Sequence, residues 1–285
     1  MTNVLVLGAT GHVGQPLVSA LLEKGVAVKA ASRSGKDIGA AKGIVFDYFD
    51  SATINPAFEG VDAAYVMLAG GYTGADTLLL PVIAAAKEHG VKVVLQTAFG
   101  VNADDSIPYR KVELALEAAG IPYVILRPNW FMDNFHTFWK AGIDQGVIAL
   151  PAGEGKSAFI DVCDIAAVAA EALTSDTFDN QALDLTGPEA LSYAEAASMI
   201  SEATGKTVSY SAISDADFIA GMVNAGLPKD YAEFLTSIFY PVREGWTAAV
   251  TDVVEKVTGK TPRSLAQYIA DHSLSCKGRK LKARQ

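Results

Sequence analysis

Val4-Leu5-Val6-Leu7-Gly8-Ala9-Thr10-Gly11-His12-Val13-Gly14 decides the fold of this 285-residue chain. The four apolar residues read as a buried strand, the glycines follow at the spacing Gly8-x-x-Gly11-x-x-Gly14, and Val13 to Leu22 has helical periodicity. Strand, glycine turn and helix in that order form the first βα unit of a dinucleotide-binding fold. Glycines let the backbone turn tightly and approach a diphosphate, and the free amides of a helix N-terminus attract its charge. Gly8, Ala9, Thr10, Gly11, His12, Val13 and Gly14 are therefore candidate cofactor-binding residues. The stretch is not a P-loop, because Val13 stands where the second glycine would fall and no Lys-Ser/Thr follows.

Outward from this unit, apolar runs alternate with helical stretches. Val26 to Ala31, Ile44 to Phe46, Ala63 to Leu68, Val91 to Leu95 and Tyr123 to Leu126 read as strands; Asp76 to Glu88 and Tyr109 to Ala119 read as helices. The alternation predicts an α/β doubly wound parallel sheet, a Rossmann fold with helices on both faces. Beyond Pro128 the rhythm changes. An aromatic segment, Trp130 to Trp139, leads to the loop Leu150 to Lys156, a helix over 161–173 and a short strand over 182–185. Helices are expected after that over 193–204, 215–225, 229–238, 246–257 and 262–272. The expected organisation is a nucleotide domain over 1–128, rejoined at about 157–186. A smaller, mostly helical substrate lobe takes 129–156 and 187–272, and a basic tail takes 273–285.

The composition narrows the function classes. A net charge of −9 argues against a nucleic-acid partner, and the charge is uneven. After Ser275 come Lys277, Arg279, Lys280, Lys282 and Arg284 with no acid, which leaves 18 basic against 32 acidic residues before them, a net of −14. That tail reads as a solvated end. No stretch has the length of a membrane span, and the N-terminus lacks the layout of a signal peptide. Cys163 and Cys276 make no disulfide framework, so a reducing, cytoplasmic setting is expected. As partners, a small-molecule acceptor is expected, and the chain itself as a monomer or homodimer. The four histidines, His12, His89, His136 and His272, lack ligand spacing, and no metal site is expected.

At the end of the second strand, where NAD-binding units carry an acid for the ribose hydroxyl, stands Arg33. A guanidinium suits the 2′-phosphate of NADP, with Ser34 and Lys36 as further donors. Asp47 and Tyr48, at the end of the third strand, flank the adenine in this reading or cap the turn that follows.

The glycine turn, the segment Leu126-Arg127-Pro128-Asn129-Trp130-Phe131-Met132-Asp133-Asn134-Phe135 and the loop Pro151 to Lys156 resemble the NmrA-like branch of the atypical short-chain dehydrogenases. Within it the chain is similar to NADPH-dependent quinone oxidoreductases and to triphenylmethane-dye and azo-dye reductases, essentially end to end. The resemblance implies a Rossmann fold with NADP lying across the carboxyl ends of the strands. It also implies that Asn129, Trp130 and Phe131 border the nicotinamide. Read from their own spacing, Phe135, Phe138 and Trp139 form the apolar stripe of a helix.

Carbonyl-reducing short-chain dehydrogenases use a Ser or Thr and a Tyr-x-x-x-Lys pair, the tyrosine donating a proton and the lysine lowering its pKa. Here Thr97 takes the place of the serine and Tyr109 that of the tyrosine, so these are the candidate catalytic residues. Position 113, however, is Glu, read as a surface or cap residue, and Lys111 falls on another helix face. The expected function is NADPH-dependent hydride transfer to a small-molecule acceptor, a quinone or similar conjugated compound. Such an acceptor takes hydride at low barrier, with solvent able to supply any proton. The alternative is an NADP-binding regulatory sensor of the NmrA type, without turnover.

Overall fold

The computed structural model describes residues 2–272, so the basic tail and Cys276 lie outside the described residues. Eleven strands are seen among them: β1 (Asn3–Leu7), β2 (Ala27–Ser32), β3 (Lys42–Val45), β4 (Ala63–Val66), β5 (Lys92–Gln96), β6 (Tyr123–Pro128), β7 (Val147–Leu150), β8 (Lys156–Ser157), β9 (Gln181–Leu185), β10 (Leu191–Ser192) and β11 (Ser209–Ala212). The helices are α1 (Gly14–Glu23), α2 (Ile54–Ala57), α3 (Ala75–Glu88), α4 (Pro108–Glu117), α5 (Lys140–Asp144) and α6 (Val162–Thr174). After them come α7 (Tyr193–Thr204), α8 (Asp215–Asn224), α9 (Lys229–Ser237), α10 (Tyr240–Arg243), α11 (Val253–Thr258) and α12 (Leu265–His272).

Seven strands pair in the order β3-β2-β1-β4-β5-β6-β9, every pairing parallel. β1 sits centrally, its Val4 beside Val28 on one side and Ala63 on the other. Both of its faces are covered. Val4 and Val6 pack with Leu17, Val18 and Leu21 of α1 and Ile165 and Ala169 of α6. Leu5 and Leu7 pack with Leu79 and Val82 of α3 and Val112 and Leu116 of α4. A strand buried on two faces needs an unbroken apolar run, which is why Val4 to Leu7 does not alternate.

A third apolar cluster gathers Met132, Phe135, Phe159, Tyr193, Ile200, Phe239 and Tyr268, all from beyond β6. Two small sheets brace it: β7 pairs with β11 in parallel, and β8 with β10 antiparallel. These four strands are not expected from the sequence, because runs of two to four residues carry too little pattern.

Two helical expectations are corrected. The single helix expected over 246–257 is a 3-10 turn (Trp246–Ala248), an extended stretch and then α11. Long-range bonds break it. Asn129 Nδ2 donates to the Thr247 carbonyl at 2.8 Å, and Thr251 Oγ1 donates to the Asp184 carbonyl at 2.7 Å. The aromatic stripe is not one helix either. A 3-10 turn (Met132–His136) ends at Thr137 before α5 begins, which buries Phe135 but leaves Phe138 78% exposed.

Candidate active site

Because the seven strands are parallel, the turns that follow them share one edge of the sheet. Gly8 follows β1, Arg33 follows β2, Thr97 follows β5 and Asn129 follows β6. The topology thus brings the expected residues of four separate segments to the same edge of the sheet.

The glycine turn has the form that close approach requires. Gly8 is left-handed at φ +67°, and its carbonyl accepts from the Gly11 amide at 2.8 Å. A Cβ on Gly14 would stand 2.1 Å from the Gly8 carbonyl oxygen and 2.8 Å from Ala9 Cα, so only glycine lets α1 begin against the turn. Val13, the N-cap of α1, has no side-chain capping bond. Among the described residues the amides of Thr10, His12 and Val13 donate to no protein acceptor. Ala9 differs, being buried with its amide bound to the Ala31 carbonyl at 3.2 Å. A glycine turn with unclaimed amides at a helix N-terminus fits a diphosphate.

Beside it, Arg33 is exposed and has no hydrogen bond or ion pair with any described residue. Its loop is shaped locally: the Gly35 amide donates to Ser32 Oγ at 3.2 Å, and Ser32 and Ser34 hydroxyls lie 3.3 Å apart. Asp47 caps its own turn, accepting from the Phe49 amide at 3.0 Å. The Tyr48 hydroxyl donates to the Met67 carbonyl, and burial raises its pKa further above the phenolic range.

Position 113 departs from the expectation. Glu113 is not a surface or cap residue; it is fully buried. Thr97 Oγ1 donates to Glu113 Oε1 at 2.7 Å, Arg127 donates to both carboxylate oxygens at 3.0 and 2.7 Å, and Arg110 Nη1 donates at 3.0 Å. Burial would raise the Glu113 pKa, but the bonds from Arg127 and Thr97 and the adjacent positive charges outweigh it and hold it below the usual value. The Thr97 proton is therefore committed inward. The signal for this pair was Arg127, a lone charge in an otherwise apolar strand.

Tyr109 lies in the first turn of α4, half-buried. Burial, with Tyr231 of α9 as a smaller influence, pushes its phenol up to about 12. No lysine reaches it from position 113, and Lys111 is exposed and paired with Asp76 at 3.4 Å.

Asn129, Trp130 and Phe131 join the sheet to the third cluster. Asn129 is buried with both ends of its amide engaged: Nδ2 with Thr247, and Oδ1 accepting the Trp130 amide at 2.8 Å. Trp130 stacks on Phe239 at 4.9 Å, and Phe131 makes a β-bridge to Ile160. His136 stacks on Tyr268, their rings 5.2 Å apart. His12 is exposed on the glycine turn, with Asp133 beside it. Among the described residues no group of three or more His, Cys, Asp or Glu could hold a metal ion, and no helix is long and apolar enough to cross a membrane.

The NmrA-like family model matches residues 1–269. The chain belongs to the NmrA-like family. It is 35% identical over 272 residues to the uncharacterized oxidoreductase YesF of Bacillus subtilis, covering 95% of each chain. It is 32% identical to the NAD(P)H azoreductase of Xenophilus azovorans, covering 95% of this chain and 98% of the relative. Among solved structures, the NADPH complex of an Escherichia coli NADPH-dependent quinone oxidoreductase superposes with a TM-score of 0.82 at 23% identity, covering 95% of this chain and 99% of that one. The match to this structure shows the shared Rossmann-like architecture. Four residues after Tyr109 stands the buried Glu113 and not a lysine.

Proposed function

We infer that this NmrA-like chain is an NAD(P)H-dependent oxidoreductase, and we propose that it uses NADPH to reduce a quinone or a similar conjugated acceptor. Relatives named as an oxidoreductase and an azoreductase, matched nearly end to end, support the reductase part. One observation carries the reading: a glycine turn, Gly8 to Gly14, whose Thr10, His12 and Val13 amides are unclaimed, with an unpaired guanidinium beyond the next strand. In this assignment the amides of Thr10, His12 and Val13 hold the diphosphate, and Arg33 grips the 2′-phosphate that distinguishes NADPH. Gly8, Ala9, Gly11 and Gly14 shape the cradle, while Asn129, Trp130 and Phe131 border the nicotinamide end. The described arrangement supports a nucleotide domain over 1–128 and 157–186, since β9 completes the sheet. The third cluster draws mainly on the segments expected for the substrate lobe.

The bound cofactor supplies the hydride. The protein supplies position and dryness. Tyr109, protonated throughout the physiological range, serves as a pocket donor to the acceptor oxygen rather than as an acid tuned for neutral pH. Thr97 acts through Glu113 to fix the start of α4 and thereby Tyr109. A quinone tolerates this arrangement because its reduced oxygen is stabilised by conjugation and takes its proton from solvent. NADPH absorbance followed with a panel of quinones, azo dyes and simple ketones tests the reading. Oxidation with the conjugated acceptors and none with the ketones is expected. Tight NADPH binding without turnover of any acceptor would turn the reading to a sensor.

A further inference from the structure

Phe49 and Tyr72 are left 66% and 42% exposed, their ring centroids 5.3 Å apart and their planes tilted by 55°. Exposed apolar side chains scattered singly need no explanation, but two rings that meet beside a ligand edge do. They come from different loops. Phe49 follows β3 and Tyr72 follows β4, so both stand at the carboxyl edge of the sheet.

Printed contacts tie these loops to both halves of the cofactor cradle. The Phe46 amide donates to the Ser32 carbonyl at 3.0 Å, which sets the loop after β3 against the one that carries Arg33. Asp47 accepts the Phe49 amide at 3.0 Å and so fixes the turn that presents the ring. Between them Tyr48 donates to the Met67 carbonyl, and Met67 lies against the glycine turn: a Cβ on Gly8 would stand 2.8 Å from its Sδ. The loop of Tyr72 is tied down far less. Among the described residues the backbone of 69–74 makes no hydrogen bond, a Cβ on Gly70 or Gly71 would meet nothing within 4 Å, and Gly71 is at φ +107°. Such a backbone lets Tyr72 settle against a ligand at little cost.

One sugar of NADPH carries the 2′-phosphate, the diphosphate and the adenine. With the phosphate on Arg33 after β2 and the diphosphate on the turn after β1, the base falls to the loops after β3 and β4. Adenine is flat and uncharged, and aromatic faces hold such a ring by stacking. We propose that Phe49 and Tyr72 form the adenine platform of the cofactor site, with the glycine-rich loop carrying Tyr72 onto the base. The proposal rests on the reading that Arg33 and the glycine turn hold NADPH. Because NADH carries the same base, the platform contributes equally to both nucleotides and leaves the choice between them to Arg33.

Calorimetric titration of NADPH, NADH and adenosine 2′,5′-bisphosphate into the full chain tests the assignment. Phe49→Ala and Tyr72→Ala should each weaken all three by about tenfold, with the NADPH-to-NADH ratio unchanged. Phe49→Tyr and Tyr72→Phe keep an aromatic face and should stay within about twofold of wild type. Urea midpoints should match wild type in all four variants, since both rings are exposed. Alanine variants that bind NADPH or the bisphosphate as tightly as wild type would overturn the proposal and leave the cofactor reading standing. So would conservative variants that lose as much as the alanine ones. No NADPH binding by wild type would overturn both.

Discussion

Tyr109 shows how one replaced neighbour changes the work a residue can do. A lysine four positions on would lower its pKa; here that position is Glu113, turned inward to Arg127, and burial pushes the phenol up to about 12. A tuned general acid contributes about 10²–10⁴-fold. Tyr109→Phe is therefore expected to lower kcat with a quinone by less than about tenfold, well short of that contribution. The pH profile should show no limb from the phenol between roughly pH 6 and pH 9. Stopped-flow rates with wild type and variant check this, and a loss of a thousandfold would make Tyr109 the obligatory proton donor. Arg33 is the opposite case, a charged side chain that the fold leaves unspent. Exposed arginines are common, but this one follows β2 at the edge where the glycine turn opens.

At the scale of elements, the start of α1 is the most constrained feature. Gly14→Ala would place a methyl against backbone atoms of Gly8 and Ala9, and backbone cannot swing aside as a side chain can. Overpacking of this kind costs about 1–3 kcal/mol. Gly14→Ala should lower the urea midpoint correspondingly and weaken NADPH binding, since α1 must move off the turn. A milder change is Ser192→Ala at the capping box of α7, where Ser192 and Glu195 exchange bonds at 3.1 and 2.7 Å. It should cost about 1 kcal/mol in the same denaturation assay and leave cofactor affinity unchanged. The elements differ in how plainly the sequence announces them. The strands β1 to β6 are apolar runs between helices, and buried parallel strands have no other way to look. The stretch 246–251 resists such reading because its conformation is set by Asn129, Ser157, Asp184 and Thr186, which are far away along the chain. Glu113 is hidden for the same reason: only its partner Arg127, fourteen residues later, shows that the carboxylate turns inward. The glycine turn is local, so its part of the site can be read directly, whereas the pocket lining depends on how the third cluster folds back.

For the whole molecule, the Glu113–Arg127–Arg110 network ties α4 to the sheet and links stability to pH. The folded Glu113 pKa lies below its unfolded value, so its contribution is full above the ordinary glutamate pKa and is lost as pH falls through the folded one. Glu113→Gln leaves the buried Arg127 with Asp184, 3.7 Å away, as its remaining counter-charge and should cost about 3 kcal/mol at neutral pH. It should also flatten the acid limb of the stability curve, as thermal melts across that range would show. Asp164 acts with the opposite sign. Its folded pKa is raised to about 6 by burial, so its favourable contribution exists in acid and is lost as pH rises through that value. Asp164→Asn should therefore be neutral or stabilising above pH 6 and lose that advantage in acid.

The proposed function seats one cofactor at one edge of the sheet. Calorimetric titration of NADPH and NADH into wild type and Arg33→Glu tests that most directly. A guanidinium–phosphate pair is worth about 1.5–3 kcal/mol, so wild type should prefer NADPH by at least about tenfold and the variant should lose that preference while still binding NADH. No saturable heat with either nucleotide, or an unchanged preference in the variant, would contradict the account.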